Sequence, residues 1–101
     1  MSYRLLEKCR EAEREIFDET QGNKMELVYY LLTSETDDYE NDSDMRIYGI
    51  EIVKKVQGLP SESIGFENVH SNKEKIKKII ALLAENTVTP VSLPDILDDL
   101  L

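Results

Sequence analysis

Residues 25–34 read MELVYYLLTS, a dense run of apolar residues. Its length and its content of β-branched and aromatic residues predict a strand. Nearly every position is apolar, so we expect both faces of this strand to be covered. One face would pack on a helix, and the cover for the other would come from the N-terminal segment or from another subunit.

The residues that follow predict a small antiparallel sheet. Residues 35–44 read ETDDYENDSD, with six acidic residues among ten, and this composition is typical of a mobile loop. Residues 45–56 alternate between apolar and other side chains, which indicates a second strand antiparallel to the first. Gly58 and Pro60 indicate a turn, and residues 63–70 then predict a third, shorter strand.

The C-terminal part of the sequence favours helices. Ser71 and Glu74 have the spacing of a capping box, which predicts a helix over residues 71–85 that ends near Asn86. Its buried face would be formed by four apolar residues at helical spacing, namely Ile76, Ile79, Ile80 and Leu83. Residues 88–91 predict a short edge strand. A last short helix would begin at Ser92, Pro94 and Asp95.

The N-terminal segment has the spacing of an amphipathic helix. Its apolar residues recur at a 3.6-residue period and are Leu5, Leu6, Cys9, Ala12, Ile16 and Phe17. The predicted fold is therefore α+β: a small antiparallel sheet of three to four strands packed against helices, with an N-terminal amphipathic helix over residues 1–20 and a short C-terminal helix. We expect one domain over residues 1–101, whose core of sheet plus helix spans residues 25–101.

Composition limits the classes of partner. The chain has 101 residues, is 41% hydrophobic and 33% charged, and carries a net charge of -9, so it can form a core but repels nucleic-acid phosphates and anionic membranes. Cys9 is the only cysteine, which excludes an intramolecular disulfide and favours a reducing compartment. No signal peptide is apparent, and we expect a cytoplasmic protein.

Three strings of sequence resemble a known family. YYLLTSE, YGIEIVKK and above all ENTVTPVSLPDILDDLL occur in the order strand, acidic gap, strand, turn and helix. They are similar to a family of small uncharacterised proteins from clostridia-like Gram-positive bacteria, and the similarity covers residues 25–101. This resemblance implies a bacterial, cytoplasmic setting and assigns no site residue.

The acidic loop does not match a calcium-binding loop. The best register begins at Glu40 and places Asp42, Asp44 and Glu51 at ligand positions. However, Met45 occupies the turn position that needs glycine, and Glu51 lies within a predicted strand. We therefore predict a solvated hairpin loop and no metal site.

The sequence gives little support for nucleophilic catalysis by a serine and His70. His70 has Ser61, Ser63, Ser71 and Glu67 nearby in sequence, which is the residue set of a hydrolase triad. No nucleophile-elbow motif is present, and a histidine just before a helix cap is typically a polar loop residue. We predict no catalytic residue.

The remaining reactive residues also have structural interpretations. Cys9 lies on the apolar stripe and is predicted to pack in the core with a high pKa. A cluster of lysines near the start of the predicted helix, Lys73, Lys75, Lys77 and Lys78, is interpreted as a solvated face because the whole chain is acidic. Phosphate-binding glycine motifs are absent from the sequence, so no cofactor is predicted.

The sequence leaves two functions open. The first is a non-enzymatic protein–protein interaction module that binds a protein partner through an apolar sheet face or through its terminal helices, with a homodimer as one such arrangement. The alternative is a small ligand-binding protein or enzyme whose pocket is lined by tyrosines at a dimer interface. The candidate tyrosines are Tyr29, Tyr30, Tyr39 and Tyr48, which at strand positions more often pack in a core.

Overall fold

The computed structural model describes residues 3–18, 22–36 and 46–100. Across these residues the chain forms a four-stranded antiparallel sheet in the order β1-β2-β3-β4, followed by two α-helices. The elements are β1 (Tyr3–Asp18), β2 (Asn23–Thr36), β3 (Arg46–Val56), β4 (Glu62–His70), α1 (Lys73–Glu85), a 3₁₀ turn (Pro90–Ser92) and α2 (Leu93–Leu100).

The N-terminal segment is a strand, so the predicted fold with an amphipathic helix over residues 1–20 is wrong. β1 pairs antiparallel with β2 along its whole length, from Tyr3 opposite Thr36 to Asp18 opposite Asn23. β2 therefore has a neighbouring strand on each side, β1 on one edge and β3 on the other. β2 is thus an interior strand, which is the usual position of a strand that is apolar on both faces.

Two β-bulges explain why the spacing of β1 imitates a helix. Leu6 and Glu11 are extra residues in β1, and the register with β2 shifts at each of them. An extra residue interrupts the alternation of side chains between the two faces of a strand. Cys9, Ala12 and Ile16 therefore reach the same face of the sheet at spacings that also fit one stripe of a helix.

One face of the sheet packs against the helices and forms the core. On β2 this face carries Leu27, Tyr29 and Leu31, whose partners on β3 include Ile50 and Ile52. Helical and C-terminal residues complete the buried cluster, namely Ile76, Ile79, Ile80, Leu83, Ala84, Val88, Leu93 and Leu97. The strands and the helix predicted from residue 25 to residue 85 are present, while most of the predicted acidic loop, residues 37–44, lies outside the described residues.

The N-terminal cap of α1 differs from the prediction. Asn72 is the cap, because its side-chain Oδ1 accepts a hydrogen bond from the backbone N–H of Lys75 at 3.2 Å. The predicted capping box of Ser71 and Glu74 is therefore wrong, although the helix begins within two residues of it. The predicted end of the helix at Asn86 is confirmed.

The segment between the two helices is not a strand. Pro90–Ser92 form a 3₁₀ turn, so the edge strand predicted over residues 88–91 is wrong. Thr89 has extended dihedral angles, as the residue before a proline usually does. The predicted C-terminal helix is present as α2, and its Leu93 and Leu97 side chains are buried.

The sheet face opposite the helices, here called the open face, carries no described helix. Val28 and Leu32 of β2 point to this face but are only 3% exposed. Their neighbours on β1 are Glu13 and Lys8, and the Lys8 ammonium lies 4.4 Å from the centre of the Tyr30 ring. The aliphatic stems of such long charged side chains cover apolar neighbours while their charges stay in water.

Candidate functional site

A groove between β4 and α2 combines an exposed aromatic side chain with an edge strand of the described sheet. Its volume is about 270 Å³. We call it the β4–α2 groove, and it is lined by Phe66, Asn68, Val69, Pro94, Leu97 and Asp98. Its walls belong to β4 and α2, which are separated along the chain by α1 and the 3₁₀ turn.

The irregular end of β4 forms one wall of this groove. Ile50 pairs with Phe66 and Tyr48 pairs with His70, so three residues of β4 lie opposite the single residue Gly49. A Cβ atom built on Gly49 would lie 2.7 Å from the Glu67 carbonyl carbon, which shows how closely the two backbones approach. Glycine at this position therefore permits the bulge of β4 that carries groove residues.

Phe66 is the exposed apolar anchor of the strand wall. It points to the same face as its partner Ile50, which is fully buried, yet Phe66 itself is 39% exposed. α2 provides the opposite wall, because Leu97 is anchored in the core and the next residue, Asp98, is exposed to solvent. The groove therefore has an apolar floor with a carboxylate at its rim.

The charge beside the groove is negative. α2 reads LPDILDDL and contains three aspartates and no basic residue. Its last turn also presents unsatisfied backbone carbonyls, which add a partial negative charge. The helix side of the groove thus favours a cationic group over an anionic one.

His70 and Ser63 lie on opposite faces of the sheet. The His70 Nδ1 accepts a hydrogen bond from the backbone N–H of Asn72 at 2.9 Å, which orients the turn into α1. His70 pairs with Tyr48 on the helix-covered face, whereas Ser63 pairs with Val53 and points to the open face. The structure therefore places the imidazole and this hydroxyl on opposite sides of the sheet.

Cys9 lies half-buried on β1 instead of on a helix. Its thiol donates a hydrogen bond to Glu7 Oε1 at 2.9 Å. This hydrogen bond, then desolvation, raises the pKa of the Cys9 thiol above its ordinary value. The neutral thiol is favoured, which is the opposite of what a nucleophilic cysteine needs.

The tyrosines are divided between the two faces of the sheet. Tyr29 is fully buried on the helix-covered face and donates a hydrogen bond to the Val88 carbonyl at 2.8 Å. Tyr48 packs against the same core, whereas Tyr30 lies on the open face beneath Lys8. Tyr39 lies outside the described residues. The β4–α2 groove has no tyrosine in its wall.

A row of residues crosses the open face in the middle of the sheet. Lys8 forms an ion pair with Glu51 on β3, and the Tyr30 ring lies beside the same ammonium. A Cβ atom on Gly65 of β4 would lie 3.2 Å from the Glu51 side chain, so Glu51 packs over this glycine. Both charges are thus engaged within the chain, and the row acts as cover for the strand beneath it.

Two other cavities lie elsewhere on the described part of the chain. The larger, about 330 Å³, lies near one end of β1 and β2 and is lined by Glu13, Arg14, Glu15, Glu26 and Leu27. The Arg14 guanidinium in this lining already has a partner within the chain, because Arg14 Nε donates a hydrogen bond to the Ala84 carbonyl at 3.0 Å. A smaller cavity of about 180 Å³ lies at the β3–β4 turn. The β4–α2 groove has one charged residue among the six that line it, compared with four of five and two of five in the other cavities, so we regard it as the better candidate despite its intermediate size.

The lysine cluster noted in the sequence lies on α1. Lys73, Lys75 and Lys78 lie on the exposed side of α1, with Lys77 half-buried.

Within residues 3–18, 22–36 and 46–100, no three His, Cys, Asp or Glu side chains gather in a group that could hold a metal ion. In the same part of the chain, no helix is long and apolar enough to cross a membrane.

Comparison with known proteins places the chain in a family. It belongs to DUF6514, a family of unknown function, whose model matches residues 10–101. The match begins at Arg10, so it extends into β1 beyond the 25–101 region that carried the resemblance in sequence. No curated protein and no solved structure matches the chain.

Sequence reasoning missed the groove itself. Phe66 lies in the strand predicted over residues 63–70 and Leu97 in the predicted C-terminal helix, but nothing in the sequence indicates that they line one cavity. The available signal was one phenylalanine in a segment whose other residues are mostly polar. That signal does not identify which element lies opposite it.

Proposed function

We propose that this chain is a non-enzymatic protein–protein interaction module that binds a protein partner through the β4–α2 groove. The observation that carries this proposal is an apolar groove with a half-exposed Phe66 at the free edge of a sheet. Aromatic side chains in such positions are typical anchors of protein interfaces. This surface includes the terminal helix α2, one of the binding elements that the sequence suggested.

The size and chemistry of the groove support a macromolecular partner. Pockets that bind small molecules usually have volumes of about 300–1,000 Å³, and the β4–α2 groove, at about 270 Å³, falls just below this range. Asp98 is the only titratable side chain among its lining residues. A single exposed carboxylate gives little basis for acid–base or nucleophilic chemistry, whereas an apolar floor suits the side chain of a partner.

The proposed setting is the cytoplasm of a bacterium, with a clostridia-like Gram-positive source. The single cysteine fits a reducing compartment, which supports this setting. The net charge of -9 supports a protein partner over nucleic acid or a membrane surface.

Site-specific photo-crosslinking tests the proposal. Phe66 is replaced by a photoreactive phenylalanine derivative, and the full chain is irradiated in lysate of its source bacterium. We expect a discrete adduct with another protein that excess unlabelled wild-type chain abolishes. An equal excess of Phe66→Ala, with its fold checked by circular dichroism, should compete poorly because it lacks the anchoring ring.

Phe17 provides a matched control. It is also a phenylalanine, it is 60% exposed, and it lies near the end of β1, on the opposite edge of the sheet from β4. The same photoreactive group at Phe17 should not give the adduct. Equal adducts at both positions, or none at Phe66, would show that the groove is not the binding surface.

A further inference from the structure

The two edges of the sheet differ in how well they are protected. β1 has two bulges and carries charged side chains at most positions between Arg4 and Glu15. Bulges and charges are the devices by which natural proteins prevent an edge strand from pairing with another chain. β1 is therefore a blocked edge.

β4 lacks this protection along its regular part. Residues 62–66 pair with β3 without a register shift, and the last four of them, SIGF, carry no charge. The backbone of these residues takes part in none of the hydrogen bonds that the described turns, loops and caps make. The outward-facing amides and carbonyls of β4 thus remain a template for another strand.

We infer that the partner contributes an extended segment that pairs with the edge of β4 as a fifth strand and inserts an apolar side chain into the β4–α2 groove. This inference rests on the proposed function and names the form and chemistry of the partner. In this mode of recognition, main-chain hydrogen bonds supply affinity and a pocket beside the edge strand supplies specificity.

The geometry of a strand sets the sequence pattern of this segment. Alternate residues of an added strand face the same side of the sheet. Those on the helix-covered side would lie beside Ile64 and Phe66, which point to that side, and one of them would enter the groove. Those on the other side would lie beside Ser63 and Gly65, which leave room for side chains of any size.

Charge selects a basic segment. Asp98 lies in the wall of the groove, and α2 adds two further aspartates without a cation. A lysine or arginine next to the inserted apolar residue would therefore meet a complementary charge. A second copy of this acidic chain is disfavoured as the occupant, because it would bring a net charge of -9 to the same surface.

Selection from random peptides tests this inference and does not require the partner to be identified. Random-sequence peptides displayed on phage are selected against the immobilised full-length chain. We expect enriched sequences with apolar residues at alternating positions and at least one lysine or arginine. Synthetic versions of these peptides should slow hydrogen exchange of backbone amides within residues 63–66.

A pair of variants in α2 provides the charge control. Asp98→Lys and Asp99→Lys change the net charge equally and alter adjacent exposed residues, but only Asp98 lines the groove. Asp98→Lys should weaken binding of the enriched peptides about tenfold, whereas Asp99→Lys should leave it nearly unchanged. Both variants should stay folded, because lysine is favoured near the C-terminus of a helix.

Several outcomes would overturn the inference. Equal losses in the two variants, enriched peptides with helical spacing, protection outside β4, or a selection that enriches no sequence would each do so. The proposed function would still stand if the photo-crosslink at Phe66 formed as expected. Loss of that crosslink would instead reject the groove as a binding surface altogether.

Discussion

At the scale of single residues, Tyr29 shows how a polar group is kept in the core. Its side chain is fully buried, and its hydroxyl donates a hydrogen bond to the carbonyl of Val88, a residue that is itself nearly excluded from solvent. This bond links the central strand to the segment between α1 and α2. It therefore helps to position the helix that forms one wall of the groove.

Removal of this hydroxyl should destabilise the fold. Tyr29→Phe leaves the buried Val88 carbonyl without its partner, which should lower the free energy of unfolding by about 1–3 kcal/mol in urea. Tyr30→Phe is the control, because Tyr30 lies on the open face and its ring remains available to Lys8. Equal losses in the two variants would contradict the assigned role of the Tyr29 hydroxyl.

Tyr29 should also make stability depend on pH in the alkaline range. Desolvation raises the pKa of Tyr29 from 10.0 to about 12 in the folded state, so the folded state holds the phenolic proton more tightly than the unfolded state. Its contribution to stability is full below pH 10.0 and is lost as the pH rises to about 12. Urea unfolding over this range should show a steeper decline for wild type than for Tyr29→Phe.

At the scale of elements, β1 shows where sequence reasoning met its limit. The prediction of a helix rested on the spacing of Cys9, Ala12 and Ile16, and the bulge at Glu11 produces the same spacing in a strand. Local periodicity cannot separate these two causes. The apolar character of residues 25–34 on both faces was the available clue. A strand buried on both faces is usually central in its sheet, and a central strand has a neighbouring strand on each edge.

β3, the turn after it and α1 could be predicted because local signals and packing agree there. The alternation of residues 45–56, the turn residues Gly58 and Pro60 and the apolar stripe of α1 each have one structural interpretation, and each is present. The candidate groove could not be predicted in the same way. It forms where the irregular end of β4 meets α2, and the bulge at Gly49 depends on a backbone contact that no sequence pattern encodes.

The bulge of β4 should be intolerant of a side chain at Gly49. In Gly49→Ala the new methyl group would overlap the backbone carbonyls of Phe66 and Glu67, so β4 must move or the fold must weaken. We expect a loss of about 1–3 kcal/mol in the free energy of unfolding. Gly65→Ala is the matched control, since its methyl group would meet only the Glu51 side chain; a loss as large as that of Gly49→Ala would contradict the assignment.

The contact between β1 and α1 gives a test of the corrected N-terminal strand. Arg14 Nε donates a hydrogen bond to the Ala84 carbonyl in the last turn of α1, and the same carbonyl accepts a hydrogen bond from the Thr87 N–H. Arg14→Ala should lower the free energy of unfolding by about 1 kcal/mol.

Arg10 is the comparison for this prediction. It is exposed on the open face and contacts Glu13 at 3.4 Å. Exposed ion pairs of this kind contribute little, so Arg10→Ala should leave stability almost unchanged in the same urea titration. A similar loss in both variants would show that the arginines act through general charge and that the contact with α1 has no special role.

At the scale of the whole molecule, we predict a monomer. On the open face, charged side chains of the same chain cover the apolar residues of β2. Bulges protect the edge of β1 from pairing with another strand. Static light scattering at low salt should therefore give the mass of one chain. Elution volume alone would mislead, because a molecule measuring 56 × 25 × 19 Å elutes earlier than a sphere of equal mass.

A dimer in this measurement would be informative in its own right. Such a dimer would use a surface other than β1, and Asp98→Lys and Phe66→Ala would then show whether the β4–α2 groove forms the contact between copies. Persistence of the dimer in both variants would leave the groove free for another protein. Its dissociation in both would make a second copy the occupant.

The unequal edges of the sheet also limit how far an assembly can grow. A sheet with two open edges can be extended without end, as in a fibre. This sheet has one blocked edge, β1, and one open edge, β4, so a strand bound at β4 has no counterpart at β1. Titration of a partner segment should therefore saturate at equal numbers of the two molecules, and the complex should stay the same size however concentrated the solution becomes.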